Sequence, residues 1–163
     1  MPKRARCPYC GKLFDRYELD EHVRVCRRRN QHSESKTKSR RKLVIDGNNV
    51  AYYLSYDGVP QARNIALADR SLRNAGYNPV AVVSAALKYR VEDEGILDRL
   101  VRQGKVIEAS SGTNDDMLIL RLAKRRNADV VSNDRFLEWV DRFPWIARRR
   151  HGYRMTPSGL ILL

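Results

Sequence analysis

Four acidic residues stand just beyond short apolar runs. Asp46 follows Leu43–Ile45, Asp115 and Asp116 follow Val106–Ala109 and a short polar stretch, and Asp134 follows Val130–Ser132. If those runs are parallel strands of one sheet, their ends share an edge and the four carboxylates converge there. Gathered together they would repel one another and lose their charge. A divalent cation removes that conflict, and an all-oxygen donor set favours Mg²⁺ or Mn²⁺ over zinc. Each acid also has an ordinary reading. Asp46 lies in "DGNN", a set of turn residues, and the other three stand where helices are expected to begin, which suits acids in any case. Convergence of all four at one edge favours a site.

A second group is made of thiols. Cys7 and Cys10 form a C-x2-C knuckle, and after eleven residues His22 and Cys26 follow as H-x3-C. Four such ligands suit a tetrahedral zinc ion. His22 and Cys26 are four apart, so on a helix they share a face. Phe14 and Leu19 lie between the ligand pairs and form the expected minimal core. Three cysteines confined to twenty residues make a poor disulfide framework and a good metal site. A unit this small needs the metal to fold. The stretch resembles a C2H2-type zinc finger in which Cys replaces the last His, giving a C2HC-type set.

The elements that must position the acids alternate. Apolar runs at Leu43–Ile45, Val80–Ala86, Val106–Ala109 and Val130–Ser132 read as strands, and Gly159–Leu163 closes the chain as another. Helical spacing of apolar residues predicts helices over Gln61–Asn74, Asp93–Gln103, Asp115–Arg125 and Asp134–Phe143, with Gly76 and Gly104 as C-terminal caps. This alternation predicts an α/β fold, a mostly parallel sheet with helices on both faces. A single Gly in "DGNN" excludes a Rossmann or phosphate-loop reading.

Charge narrows the partners. The 163 residues carry 32 Lys and Arg against 19 Asp and Glu, a formal +13. Residues 1–42 hold +9 of it and residues 43–163 hold +4. Such a field favours a polyanion, nucleic acid above all. The segment Arg27–Lys42 has eight basic residues, one Glu and no apolar periodicity. It reads as a flexible arm that follows phosphates, through Arg27, Arg28, Arg29, Arg40, Arg41 and Lys42, or as a nuclear localisation signal. No apolar run of about 18 residues spans a membrane and no signal peptide is evident, so no membrane partner and a cytoplasmic location are expected. The expected organisation is a zinc finger over 1–28, a basic linker over 29–42 and an α/β domain over 43–163.

"VIDGNNVA", "GTNDDMLI" and "VVSNDRF" together resemble the motifs of NYN ribonucleases of the Regnase (Zc3h12a-like) family, and "YRMTPSGLILL" resembles that family's closing strand. The resemblance covers residues 42–163. It implies a PIN-like three-layer α/β/α sandwich and a Mg²⁺- or Mn²⁺-dependent endoribonuclease. Asp46, Asp115, Asp116 and Asp134 fall on the family's acidic centre, Asn49 on its Asn, and Glu138 on a position often acidic. Asp46 and Asp134 are then the expected principal ligands of the cation. Asp116 and Asp115 would bind it directly or through water, or orient the nucleophile, and Glu138 would add a further ligand. Asn49 would hold the geometry by hydrogen bonding. Arg63, Lys88, Arg90 and Arg135 are candidates for backbone phosphates of single-stranded or structured RNA. Two other readings remain at this stage: a non-catalytic RNA- or DNA-binding adaptor with the same fold, and a structure-specific DNA nuclease.

Overall fold

The computed structural model describes residues 4–8, 10–15, 18–26 and 40–163. The chain divides into two compact units, residues 1–39 and 40–163. Arg27, Arg28 and Arg29, and the linker as far as residue 39, lie outside the described residues.

In the first unit, strand β1 (Arg4–Arg6) pairs antiparallel with β2 (Leu13–Asp15), Ala5 opposite Phe14. Between them the Cys7 N–H donates to the Lys12 carbonyl and the Gly11 N–H to the Cys7 carbonyl, both at 2.9 Å. This tight return puts Cys7 and Cys10 on one knuckle. A helix over residues 18–26, α1, carries His22 and Cys26 one turn apart. The Phe14 ring stacks on the His22 imidazole at 3.8 Å between centroids, which fixes the ring that must present a nitrogen to the thiols.

The second unit is built on a five-stranded parallel sheet in the order β5-β4-β3-β6-β7. Its strands are β3 (Lys42–Asp46), β4 (Asn78–Val83), β5 (Val106–Glu108), β6 (Asp129–Val131) and β7 (Arg150–His151). The middles of the central strands are apolar on both faces because both faces are covered. Alternation still sorts their side chains. Leu43, Ile45, Ala81, Val83 and Val131 enter one core, with α3 (Ala62–Asn74) and α4 (Glu94–Arg102). Val44, Val80, Val82 and Val130 enter the other, with α5 (Asp115–Arg126), Phe136, Phe143 and Ile146. The sheet with a core on each face is the expected three-layer sandwich. Burying each such aliphatic side chain stabilises the fold by about 1.5–3 kcal/mol.

Gly76 and Gly104 follow α3 and α4 at φ 90° and 70°. The N–H groups of Gly76 and Tyr77 return to Arg73 and Leu72, and those of Gly104 and Lys105 to Val101 and Leu100. These are the expected glycine caps.

Two readings of the sequence fail. First, "GNNVA" is not a turn but a short helix, α2 (Gly47–Ala51), capped by Asp46. Second, Asp134–Phe143 is not an α-helix. The Asp134 side chain accepts from the Phe136 N–H at 2.9 Å, Phe136 takes a left-handed conformation at φ 52°, and only a 3-10 turn, Leu137–Trp139, follows. The apolar spacing there is real, since Phe136 and Phe143 are buried, but it is carried by turns. The expected closing strand is present at Gly159–Leu162, outside the main sheet. β8 (Tyr153–Thr156) and β9 (Gly159–Leu162) form a separate antiparallel hairpin, pinned to α3 where the Leu160 N–H donates to Ser71 Oγ at 3.0 Å. A short final helix, α6 (Ile146–Arg149), precedes β7. Among the described residues no helix is long and apolar enough to cross a membrane.

Candidate active site

Asp46 is the last residue of β3 and is 6% exposed. Its Oδ1 accepts from the Asn49 backbone N–H at 3.1 Å, capping α2, and its Oδ2 accepts from Ser132 Oγ at 2.7 Å. The residue is thus a helix cap and a buried carboxylate at once. Burial raises its pKa, the Ser132 and Asn49 hydrogen bonds oppose, and the charges of Asp116 and Asp115 raise it further, to about 6. The helix can begin here because residue 47 has no side chain. A Cβ on Gly47 would lie 2.5 Å from Val83 Cγ1 and 2.6 Å from the Val82 carbonyl oxygen.

The loop after β6 supplies the second acid. Ser132 is fully buried, and its hydroxyl oxygen accepts from the Asp134 N–H at 3.0 Å while donating to Asp46. One hydroxyl therefore ties the two carboxylate-bearing segments together. Asp134 is exposed. It lines a hollow of about 470 Å³ with Asp116, Arg135 and Glu138.

Asp115 and Asp116 open α5, which Asn114 caps by accepting from the Met117 N–H. Both are half-buried. Burial and then the Asp115 charge push the Asp116 pKa up. The Trp139 side chain opposes, and Asp134 and Glu138 add to the rise. Asp46, Asp115, Asp116, Asp134 and Glu138 therefore share one electrostatic neighbourhood at the C-terminal edge of the sheet.

Asn49 does more than was expected of it. Its backbone N–H holds Asp46, while its side-chain oxygen accepts from the Asn133 N–H at 3.1 Å and from the Tyr153 hydroxyl at 2.7 Å. Tyr153 is buried, and its pKa is pushed up by burial and by Asp46. Three further residues escaped the sequence reading. Asn48 donates to Ser84 Oγ at 2.9 Å and to Asp115 Oδ2 at 3.2 Å, and accepts from the Ser84 N–H at 3.0 Å. It fixes α5 to the end of β4. Ser132 and Tyr153 hold Asp46 and Asn49. The doubled Asn in "DGNN" was the one visible signal for Asn48.

The expected phosphate contacts are dispersed. Arg135 lines the acidic hollow and Lys88 lines a second one at the ends of β4 and β5. Arg90 Nη1 donates to the Tyr52 hydroxyl at 3.3 Å and Arg63 Nε to Gln61 Oε1 at 2.7 Å. Arg41 is bound to Asp129 away from the acids, at the start of β6, while Arg40 and Lys42 are exposed.

The ligand atoms of Cys7, Cys10, His22 and Cys26 lie within 4.8 Å of one another, with Cys10 Sγ 3.2 Å from His22 Nε2. That spread fits a tetrahedral zinc ion with bonds of about 2.0–2.3 Å. Burial, then hydrogen bonding to Cys10 and Cys7, pushes the Cys26 thiol up to about 11, the crowding a zinc ion relieves. Among the described residues this is the group of Cys, His, Asp and Glu side chains that converges so closely. The five acids share a neighbourhood without reaching that spacing. Their chemistry nevertheless fits a hard divalent cation, because they offer only anionic oxygen and hold Asp46 at a raised pKa.

Residues 39–157 match the family described as the Zc3h12a-like ribonuclease NYN domain. The chain belongs to that family. All five acids and Asn49 lie inside the matched stretch of the NYN domain, and the zinc-ligand set lies outside it. Two solved structures of A. thaliana proteins share the fold. One, nuclear proteinaceous RNase P 2 (PRORP2), has a TM-score of 0.61 at 17% identity, with 99% of this chain and 42% of that chain covered. The other, described as nuclear protein-only RNase P 2, has a TM-score of 0.59 at 18% identity, with 100% and 42% covered. The chain thus spans less than half the length of either. Comparison with curated proteins finds no match.

Proposed function

We propose that this NYN domain is a Mg²⁺- or Mn²⁺-dependent endoribonuclease acting in the cytoplasm, with the zinc-binding unit and the basic arm Arg27–Lys42 aiding RNA binding. The observation that carries the reading is the gathering of acids from two distant segments around Asp46, a buried carboxylate with no cationic side chain bonded to it among the described residues. Family membership makes RNA the substrate class.

Asp46, Asp116 and Asp134 would hold the cation, with Glu138 as a further ligand. When bound, it would lower the pKa of a water molecule and offset charge on the phosphorane oxygens. The rest falls to the chain. Ser132 and the Asn49 N–H each occupy one oxygen of Asp46, so its orientation is set before substrate arrives. Asn48 fixes Asp115 through Oδ2, leaving Oδ1 to orient the attacking water. Arg135, Lys88, Arg90 and Arg63 would be candidates for backbone phosphates of the RNA. Asp46→Asn is the point of greatest leverage on this arrangement, because it keeps the shape and removes the charge.

The test is incubation of the full chain with single-stranded and duplex RNA and DNA, with and without Mn²⁺. Internal cleavage of RNA only when the cation is present supports the reading. RNA binding without cleavage under every condition would favour an adaptor, and preferential cleavage of DNA would favour a DNA nuclease. Cys7→Ser with Cys10→Ser should abolish zinc in metal analysis of purified protein. Retention of zinc by that variant would refute the assigned ligand set.

A further inference from the structure

We propose that the hollow at the C-terminal ends of β4 and β5 is a subsite for one unpaired nucleobase beside the scissile phosphate, with Tyr89 as its stacking platform. The inference rests on the ribonuclease reading and names how that site would grip its substrate.

Position is the first ground. Ser84 lines this hollow of about 530 Å³. Ser84 is bonded in both directions to Asn48, whose Nδ2 also donates to Asp115. The hollow is therefore joined to the acids through a single side chain. Its volume falls within the range of about 300–1,000 Å³ typical of ligand sites.

The second ground is the aromatic. Tyr89 is 79% exposed, while Leu87, two residues earlier in the same 3-10 turn, is 1% exposed. The buried leucine anchors the turn, and the turn holds a large apolar ring out in solvent at the rim. An exposed ring of this kind has a free face for a base, and stacking is sequence-tolerant because every base has a π-face.

Charge supplies the third ground. Lys88 Nζ lies 5.0 Å from the Tyr89 ring centroid, and Arg90 follows in sequence, tied to Tyr52. An ammonium beside the ring suits the phosphate that accompanies a stacked base. Glu108 lines the hollow itself. Lys88 lines it as well, so the hollow offers a carboxylate that accepts from base amino groups and an ammonium for the adjoining phosphate. A paired base in a duplex has its faces stacked and its Watson–Crick edge occupied, so the subsite selects single-stranded RNA.

The test reads binding without turnover. Fluorescence anisotropy of a labelled single-stranded oligoribonucleotide is measured on the full chain carrying Asp46→Asn, with no divalent cation added. Adding Tyr89→Ala should weaken binding about tenfold, and adding Tyr89→Phe should restore affinity to within about twofold. One abasic nucleotide at the responsive position should cost the Tyr89 chain the same factor and cost the Tyr89→Ala chain nothing. Unchanged binding by Tyr89→Ala overturns the proposal. So does equal weakening for fully duplex RNA, or an abasic penalty that Tyr89→Ala does not remove. Because cleavage is not the readout, a chain that binds RNA but never cuts it refutes the ribonuclease reading and leaves this test intact.

Discussion

Two buried aspartates sit on neighbouring strands of one sheet and meet opposite fates. Asp129 opens β6 opposite Leu43 of β3, and Asp46 ends β3 three residues later, about 10 Å further along the strand direction at ~3.3 Å per residue. Both are less than a tenth exposed. Around Asp129 the protein supplies two guanidinium groups and an imidazole. Arg149 Nε donates to Oδ1 at 2.8 Å, His151 Nε2 lies 2.8 Å from Oδ2, and Arg41 binds the same oxygen. Burial works to raise the Asp129 pKa, but the His151 and Arg149 hydrogen bonds and the Arg41 charge outweigh it, and the pKa falls. Asp46 has a hydroxyl, one backbone N–H and other acids, and its pKa rises. The sheet thus has a neutralised edge that holds it together and an edge left short of positive charge. A buried carboxylate placed among carboxylates is tolerable where a cation is to be received.

The largest expected effect breaks the acidic edge. Asp46→Asn should fold normally and bind RNA as well as the parent or better, since repulsion with phosphate is removed. Its cation-dependent cleavage should fall at least about a hundredfold, about 2.7 kcal/mol of barrier at ~1.36 kcal/mol per decade. Asp134→Asn should behave alike. The double variant should be little worse than either, because ligands of one site act as a unit. Near-parent cleavage by Asp46→Asn under matched Mn²⁺ would reduce Asp46 to a helix cap.

The same substitution at the other edge should do the reverse. Asp129→Asn leaves Arg41, Arg149 and His151 facing a neutral amide. The cost should be about 2–3 kcal/mol, at the low end for a broken buried pair because Arg41 is largely exposed and screened, read as a lower urea midpoint. Asp46→Asn should shift that midpoint far less. The pH dependence follows from the sign. A depressed carboxyl pKa gives stability that is present above the unfolded value of about 3.9 and is lost as pH falls through the lower folded value. The gap between parent and Asp129→Asn should therefore close below about pH 4. A gap that is constant from pH 7 to pH 3 would show that the ion pairs around Asp129 are not its source.

Much of this contrast was written in local sequence. Four strands and three helices followed from apolar spacing, and the acids stood out because each follows a buried run. What escaped has physical reasons. α2 opens on Gly and two Asn, poor helix formers, and is capped by Asp46. β7 is two residues long and polar, so it has no pattern to read. The Asp134–Phe143 region has helical apolar spacing but is broken by the Asp134 side chain at Phe136. Ser132, Asn48 and Tyr153 act through hydrogen bonds to partners 86, 36 and 104 residues away, and no local pattern encodes such pairs.

The smallest expected effect concerns the other unit. Removing residues 1–39 takes away +6 of formal charge. The cut spares Arg41, which Asp129 needs, and Lys42, which begins β3. RNA affinity should fall and its dependence on salt should flatten, by about 0.7 in log–log slope for each single-strand phosphate that the missing residues had neutralised. Cleavage at saturating RNA should persist. An unchanged salt slope would show that residues 1–39 neutralise no phosphate.

The difference between the two edges is tested most directly by uptake of Mn²⁺ itself, followed by the fall of the free-ion signal in electron paramagnetic resonance on zinc-loaded protein. The parent and Asp129→Asn should take up Mn²⁺ alike, and Asp46→Asn should lose most of that uptake. Equal Mn²⁺ uptake by the parent and Asp46→Asn would contradict the account, because the carboxylate at the centre of the acidic edge would then have no part in holding the cation.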